Sequence, residues 1–330
     1  MAKLVLGVGA SHSTLMNTHW EETTHKAEAE RFRDALGAAR DRIVAARPDV
    51  VILLGSNHFR GFWLDLIPPF TLGVGECNAS GESGTPKGPQ NVDVEFARHL
   101  ADEVVEGGRF DLAFSARLQI DHGQSHAIQY LLAGLDVPIV PLVVNVFAPP
   151  LPTFDRCEGL ALALRDAIAS YPGDKRVAVI ASGGLSHRLP WPDWRDPHGE
   201  DEDFMVQAWL DGRENWSDYD ARRRQIIRAA EAAISPEFDD RILDLFAVGK
   251  AGELAGYTSA DIETEAGNGA QELRTWLMMA AMMDYIPAER LAYEAIPEWL
   301  TGMGVVVLDP AAAPAAHGHS PSSLLQRTHS

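Results

Sequence analysis

Four of the twelve histidines in the chain stand just beyond a run that reads as a strand, or in the turn after one. They are His12 in Ala10-Ser11-His12-Ser13, His58 in Gly55-Ser56-Asn57-His58, His122 in Gln119-Ile120-Asp121-His122-Gly123 and His187 in Gly183-Gly184-Leu185-Ser186-His187. In an open α/β sheet the strand C-termini converge on one crevice, where ligands bind, so the four imidazoles are expected to share a site. Two neutral imidazoles and one carboxylate on one face of a metal, with neighbouring positions open, suit Fe(II) oxygenase chemistry, because substrate and O2 must both reach the ion. Histidines outside the ligand set can then move protons, since imidazole titrates near neutrality. The bottom-up choice for the carboxylate is Glu272, an acid at the start of an otherwise apolar helix. Two plainer readings compete: each histidine alone could be a hydrogen-bonded structural residue, and Glu272 could serve only the helix dipole. A zinc hydrolase is the rival metal chemistry, although no HExxH supports it.

The elements that would position these residues alternate. Strand-like apolar runs recur at Leu4 to Val8, Val50 to Leu54, Ile139 to Val144, Val177 to Ile180 and Val305 to Leu308. Between them the pattern predicts helices over Lys26 to Ala46, Val92 to Glu106, Ser125 to Ala133 and Asp155 to Ser170. The expected fold is therefore α/β, a central mixed or mostly parallel sheet flanked by helices, forming one catalytic domain over residues 1–310. Residues 197–265 change to polar, helix-rich sequence and are expected to form a helical insertion or lid, with Arg222-Arg223-Arg224 on a helix running to Ala233. A further helix is expected from Ala270 to Met283, its four methionines filling core space. Residues 311–330, rich in Ala, Pro, Ser and His, read as a disordered tail.

Composition narrows the partners. The 330 residues carry 47 acidic side chains against 28 Lys and Arg, a formal charge of −19. No segregated basic face offsets that excess, which argues against nucleic acid. The longest interior apolar run, Trp276 to Met283, falls far short of the ~18 residues needed to span a membrane. The N-terminus reads directly as a strand rather than a signal peptide, so a cytoplasmic location is the expectation. Two cysteines, Cys77 and Cys157, offer no disulfide framework or CxxC pair and are expected to be reduced structural thiols. Gly7-Val8-Gly9-Ala10-Ser11-His12 puts histidine where a dinucleotide fingerprint needs its third glycine, and neither a P-loop nor G-x-S-x-G is present.

The same residues resemble the class III extradiol ring-cleavage dioxygenases, the superfamily of the protocatechuate 4,5-dioxygenase β subunit, with most similarity to its 2,3-dihydroxyphenylpropionate 1,2-dioxygenase branch. The matching stretches run in order: Ser11-His12-Ser13, Asn57-His58 with the following Asp65–Gly75, Gln119–Gly123, Pro149–Pro152, Ser182–His187, Glu272–Trp276 and Ile296–Trp299. The resemblance implies Fe(II) held by His12, His58 and Glu272, with His122 and His187 as acid and base and His187 the better choice for base. It implies a catechol-type substrate and O2, cleavage beside the diol to a meta-cleavage product, no nicotinamide or flavin, and a homo-oligomer of one polypeptide type. Asn57 departs from the family, where Asp is commoner before the second histidine. His126, one helical turn beyond His122, is also unexpected; it could line the substrate pocket or face solvent. Relatives cleave dihydroxyphenylpropionate, gallate-type and lignin-derived biaryl diols that bear carboxylates, and such an anion would meet a net charge of −19. A local cation is therefore expected near the iron, and Arg60, Arg117 and Arg188 lie beside the motifs. A metal-dependent hydrolase and a non-enzymatic binding relative on the same fold are the alternatives.

Overall fold

The computed structural model describes residues 1–312; the expected tail lies, from residue 313 on, outside the described residues. Nine strands form one mixed sheet: β1 (Lys3–Ala10), β2 (Val50–Ser56), β3 (Phe70–Ser80), β4 (Lys87–Gln90), β5 (Ala113–Ile120), β6 (Ile139–Val144), β7 (Arg176–Ser182), β8 (Glu289–Ile296) and β9 (Thr301–Leu308). Their order is β4-β3-β6-β2-β7-β1-β9-β8, with β5 pairing β3. The centre, β6-β2-β7-β1, is parallel. Strands β2 and β6 are buried at every residue, as their unbroken apolar runs require when helices cover both faces.

On one face lies the helix Lys26–Ala46, whose Phe32, Leu36, Ala39 and Ile43 meet Leu6 and Val8 of β1 and Val51 and Leu53 of β2. On the other lie Phe154–Ser170 and Leu273–Met282, packed on Val50, Ile52 and Leu54. Every residue of Leu273–Met282 is buried, including Met278, Met279 and Met282, so this is a central core helix rather than an amphipathic one. Burial of both thiols, with Cys77 and Cys157 pushed up to about 12 by desolvation, keeps them protonated and inert.

Of the five strands read from the sequence, β6 forms with the same bounds and the other four with longer ones, and four more strands join them. Strand β3 is glycine-rich and carries a register shift between Gly73 and Glu76; β5 and β8 are mostly part-buried or exposed and carry charged positions such as Arg117, Glu289, Arg290 and Glu294. Those features hide a strand from any search for continuous apolar runs. The polar region forms the helices Gly199–Arg228, Pro236–Ala247 and Ser259–Ala266, the first interrupted at Asn215. The helix bearing Arg222 to Arg224 ends at Arg228 and does not reach Ala233. No helix among the described residues is long and apolar enough to cross a membrane.

Candidate metal and active site

Three parallel neighbours in the sheet, β2, β7 and β1, deliver His58, His187 and His12 from their C-terminal ends. His122 follows β5 and opens the helix His122–Leu131, which Asp121 caps by accepting from the Gly123 N–H at 2.9 Å. Glu272 sits where the short turn Asn268–Glu272 passes into Leu273–Met282, anchored by Trp276 Nε1 donating to Gly183 O at 2.9 Å. All five side chains line one cavity of about 610 Å³ at this end of the sheet.

The innermost wall holds the donors. Glu272 Oε1 lies 3.5 Å from His12 Nε2 and 3.6 Å from His58 Nε2. His12, His58 and His122 present ring nitrogens within 4.8 Å of one another. Each of the two histidines beside Glu272 has its other nitrogen fixed: His12 Nδ1 pairs with Ser182 Oγ at 3.0 Å, and His58 Nδ1 with Asp121 Oδ1 at 3.1 Å. Both Nε2 atoms then face Glu272 Oε1, and Asp121, which accepts, keeps the His58 proton on Nδ1 and its lone pair on Nε2, the arrangement by which outer partners orient metal-binding imidazoles. Burial holds His12 well below the usual imidazole range and pushes His58 down to about 3, so both are neutral donors. The same burial raises Glu272 to about 8, although Ser56 Oγ donates to Oε1 and the Gly184 N–H to Oε2 at 2.5 Å. A buried carboxyl with no cation beside it among the described residues, facing two neutral imidazoles, fits a divalent metal.

The other two histidines differ in their support. His187 Nδ1 donates to Leu185 O at 2.8 Å, which fixes the tautomer and leaves Nε2 with its lone pair; burial pushes it down to about 4. His122 Nδ1 lies 2.7 Å from Glu82 Oε1, which also accepts the His122 N–H at 2.9 Å. Burial, then the neighbouring His58, hold His122 below its ordinary value, while Glu82 pulls the other way and is itself held far below the carboxylate range. A proton placed on His122 is thus stabilised by a carboxylate; one on His187 is not.

Several sequence expectations change here. His126 neither lines the cavity nor faces solvent: it is buried behind His12, stacked on that ring at 5.8 Å and on Tyr130 at 6.0 Å, with neither nitrogen hydrogen-bonded among the described residues. Arg188 is half exposed and pairs with Glu263 at 3.7 Å, and Arg117 is exposed against Glu76; neither lines the cavity. Arg60 does line it, with Nε 3.1 Å from Glu82 Oε2. Asn57 spans the following turn, donating to Phe62 O at 2.9 Å and accepting from the Phe62 N–H at 3.0 Å, so its amide serves the loop that carries His58.

Three carboxylates went unassigned in the sequence reading. Asp121 lies inside the Gln119–Gly123 motif and holds His58 at both the ring and the backbone N–H. Glu82 and Asp239 have no local signature. Asp239, from Pro236–Ala247, accepts from Ser186 N at 2.8 Å, Ser186 Oγ at 2.6 Å and Tyr293 OH at 2.7 Å, tying that helix to the loop that carries His187. Asp121→Asn is expected to weaken metal affinity roughly 10- to 100-fold by loosening His58 while the fold is kept, as read by metal titration of the purified variant.

Residues 6–304 match the family model described as the catalytic LigB subunit of aromatic ring-opening dioxygenase. The enzymes named 2,3-dihydroxyphenylpropionate/2,3-dihydroxicinnamic acid 1,2-dioxygenase from Escherichia coli strains K12 and O157:H7 are 33% identical to this chain over 288 residues, 83% of this chain and 90% of theirs. A solved structure of an Escherichia coli K12 protein covers 92% of this chain and 99% of its own at 12% identity and a TM-score of 0.43, too loose to carry argument.

Proposed function

The chain belongs to the LigB family of aromatic ring-opening dioxygenases, and from that premise we propose that it is an Fe(II) enzyme cleaving a carboxylate-bearing catechol beside its diol. Family membership makes it an aromatic ring-cleaving dioxygenase and sets aside the hydrolase and binding-protein alternatives. The metal identity, the ligand set and the substrate are the proposal. The observation that carries it is the single buried carboxylate oxygen, 3.5 and 3.6 Å from two neutral imidazole nitrogens.

His12, His58 and Glu272 would hold the iron, which when bound supplies the Lewis acidity and electron path that O2 needs to react with a diol. The protein does the rest. His187, neutral and with Nε2 free, accepts a proton from the incoming diol; its Nδ1–H stays on Leu185 O, so the ring keeps its orientation through the transfer. His122, neutral at rest because burial lowers it, takes the diol's second proton on the ring nitrogen away from Glu82, whose carboxylate supports the imidazolium, and returns that proton during ring opening. Trp191, which lines the cavity with its ring centroid 5.7 Å from that of His58 and is backed by Phe147 at 4.7 Å, offers an apolar wall to an aromatic ring and keeps water off the reacting face. Relatives bearing the 2,3-dihydroxyphenylpropionate name support a catechol with a short carboxylate arm.

Protein loaded anaerobically with Fe(II), then given air and a panel of catechols, is expected to consume one O2 per diol and form a yellow ring-fission product. Absence of oxygen uptake with every diol overturns the proposal.

A further inference from the structure

We propose that Arg223 is the residue that reads the anionic arm of the substrate, pairing with a carboxylate carried on the aromatic ring away from the diol. This rests on the catechol reading above and extends it to one side chain that no motif marks.

The cavity reverses the sign of the whole chain. Against a net charge of −19, its wall carries Arg60, Arg223, Arg224 and Arg228 opposite only Glu82 and Asp220, apart from the proposed ligand Glu272. Three of these arginines are accounted for. Arg60 is neutralised by Glu82 at 3.1 Å, with Asp220 at 3.9 Å; Arg224 pairs with Asp220; Arg228 stands in solvent at the mouth. Arg223 has no carboxylate partner among the described residues, and its buried Nε has no hydrogen-bond partner. Burial, then the charge of Arg60, lower it to about 9, which still leaves it a cation at neutral pH, close enough for that charge to act on His58. On this partly buried side chain the buried Nε–H is costly to leave unpaired unless an anion completes it, and the planar fork matches a carboxylate.

Trp216 fixes the geometry. The guanidinium of Arg60 lies 3.4 Å from its ring centroid and that of Arg223 lies 4.7 Å, so the indole holds both planes. One of the two cations is spent on Glu82; the other is available to a ligand.

The test separates charge recognition from ring cleavage. Binding of 3-phenylpropionate, which has the carboxylate but no diol, and of the neutral 3-phenylpropanamide is measured by calorimetry on metal-free protein. Wild type is expected to prefer the anion. Arg223→Gln is expected to weaken 3-phenylpropionate by roughly 10- to 100-fold and the amide by far less, as loss of a charge-assisted bidentate contact predicts. Arg223→Lys, which keeps the charge and loses the fork, should retain part of the preference and guards against a folding defect in the Gln variant. Equal losses for both ligands, or a charge-selective loss in Arg60→Gln instead, overturn the assignment. Oxygen uptake with catechols is followed separately: charge-selective binding without uptake leaves Arg223 in place and defeats the dioxygenase proposal, and uptake with charge-blind binding does the reverse.

Discussion

Glu272→Ala is expected to give a folded protein that retains no iron and shows no ring cleavage above background. The carboxylate is the only proposed ligand with a negative charge, and it is 1% exposed, so nothing from solvent can take its place. Its elevation to about 8, from an ordinary value of 4.5, sets a pH dependence with a definite sign. Without metal the folded protein favours the protonated carboxyl, so stability contributed by that proton is present at low pH and is lost as pH rises from about 4.5 through about 8. Metal binding requires the ionised form and displaces the proton. Apparent metal affinity is therefore expected to rise by about tenfold per pH unit between 6 and 8 and to level off above, with about one proton released per metal. Titration calorimetry in buffers of different ionisation heat counts that proton directly. Glu272→Gln keeps the shape and the Gly184 contact while losing the charge; metal-free, it should melt no lower than wild type at pH 8. Stoichiometric iron in the Gln variant would show that the ligand set is wrong.

How much of this was readable beforehand follows from what each residue depends on. His12, His58 and His187 follow strands built on the apolar runs Leu4–Val8, Val50–Leu54 and Val177–Ile180, so both their location and their convergence follow from local pattern. His122 was legible only through its Asp-His-Gly turn, because β5 shows one polar face and does not read as a strand. Glu82 and Asp239 act through residues far along the chain, His122 and Arg60 for the first and Ser186 and Tyr293 for the second, and no local spacing encodes such contacts. Arg223 was visible as one of three consecutive arginines, but such a run ordinarily reads as a solvated helix face. That Arg223, and not Arg222 or Arg224, buries its Nε against the cavity wall depends on helical phase downstream of the break at Asn215 and on Trp216 waiting in the wall. The arginines chosen for nearness in sequence, Arg117 and Arg188, sit on outward-facing positions, where adjacency to a motif says nothing about direction.

His187→Ala is expected to keep its iron and lose turnover, by roughly 10²- to 10⁴-fold in kcat, the range that removal of a general base produces. The ring touches neither His12 nor Glu272 in any hydrogen bond; its polar contacts are the Leu185 carbonyl through Nδ1 and, through its own main chain, Ala266 and Gly269. Gly269 makes the stricter test. It donates to His187 O at 3.0 Å, and a Cβ there would lie 2.1 Å from His187 Cδ2 and Nε2. Gly267, at φ 87°, holds the turn that brings the two together, so the wall cannot retreat. Gly269→Ala must then displace the imidazole while leaving its chemistry intact. Turnover is expected to fall toward that of His187→Ala, and the double variant should be little worse than either single change, because both remove the same proton acceptor. Iron content, measured on each, distinguishes a base from a ligand: iron-free His187→Ala protein would move His187 into the metal's coordination sphere and undo the division of labour among the four histidines.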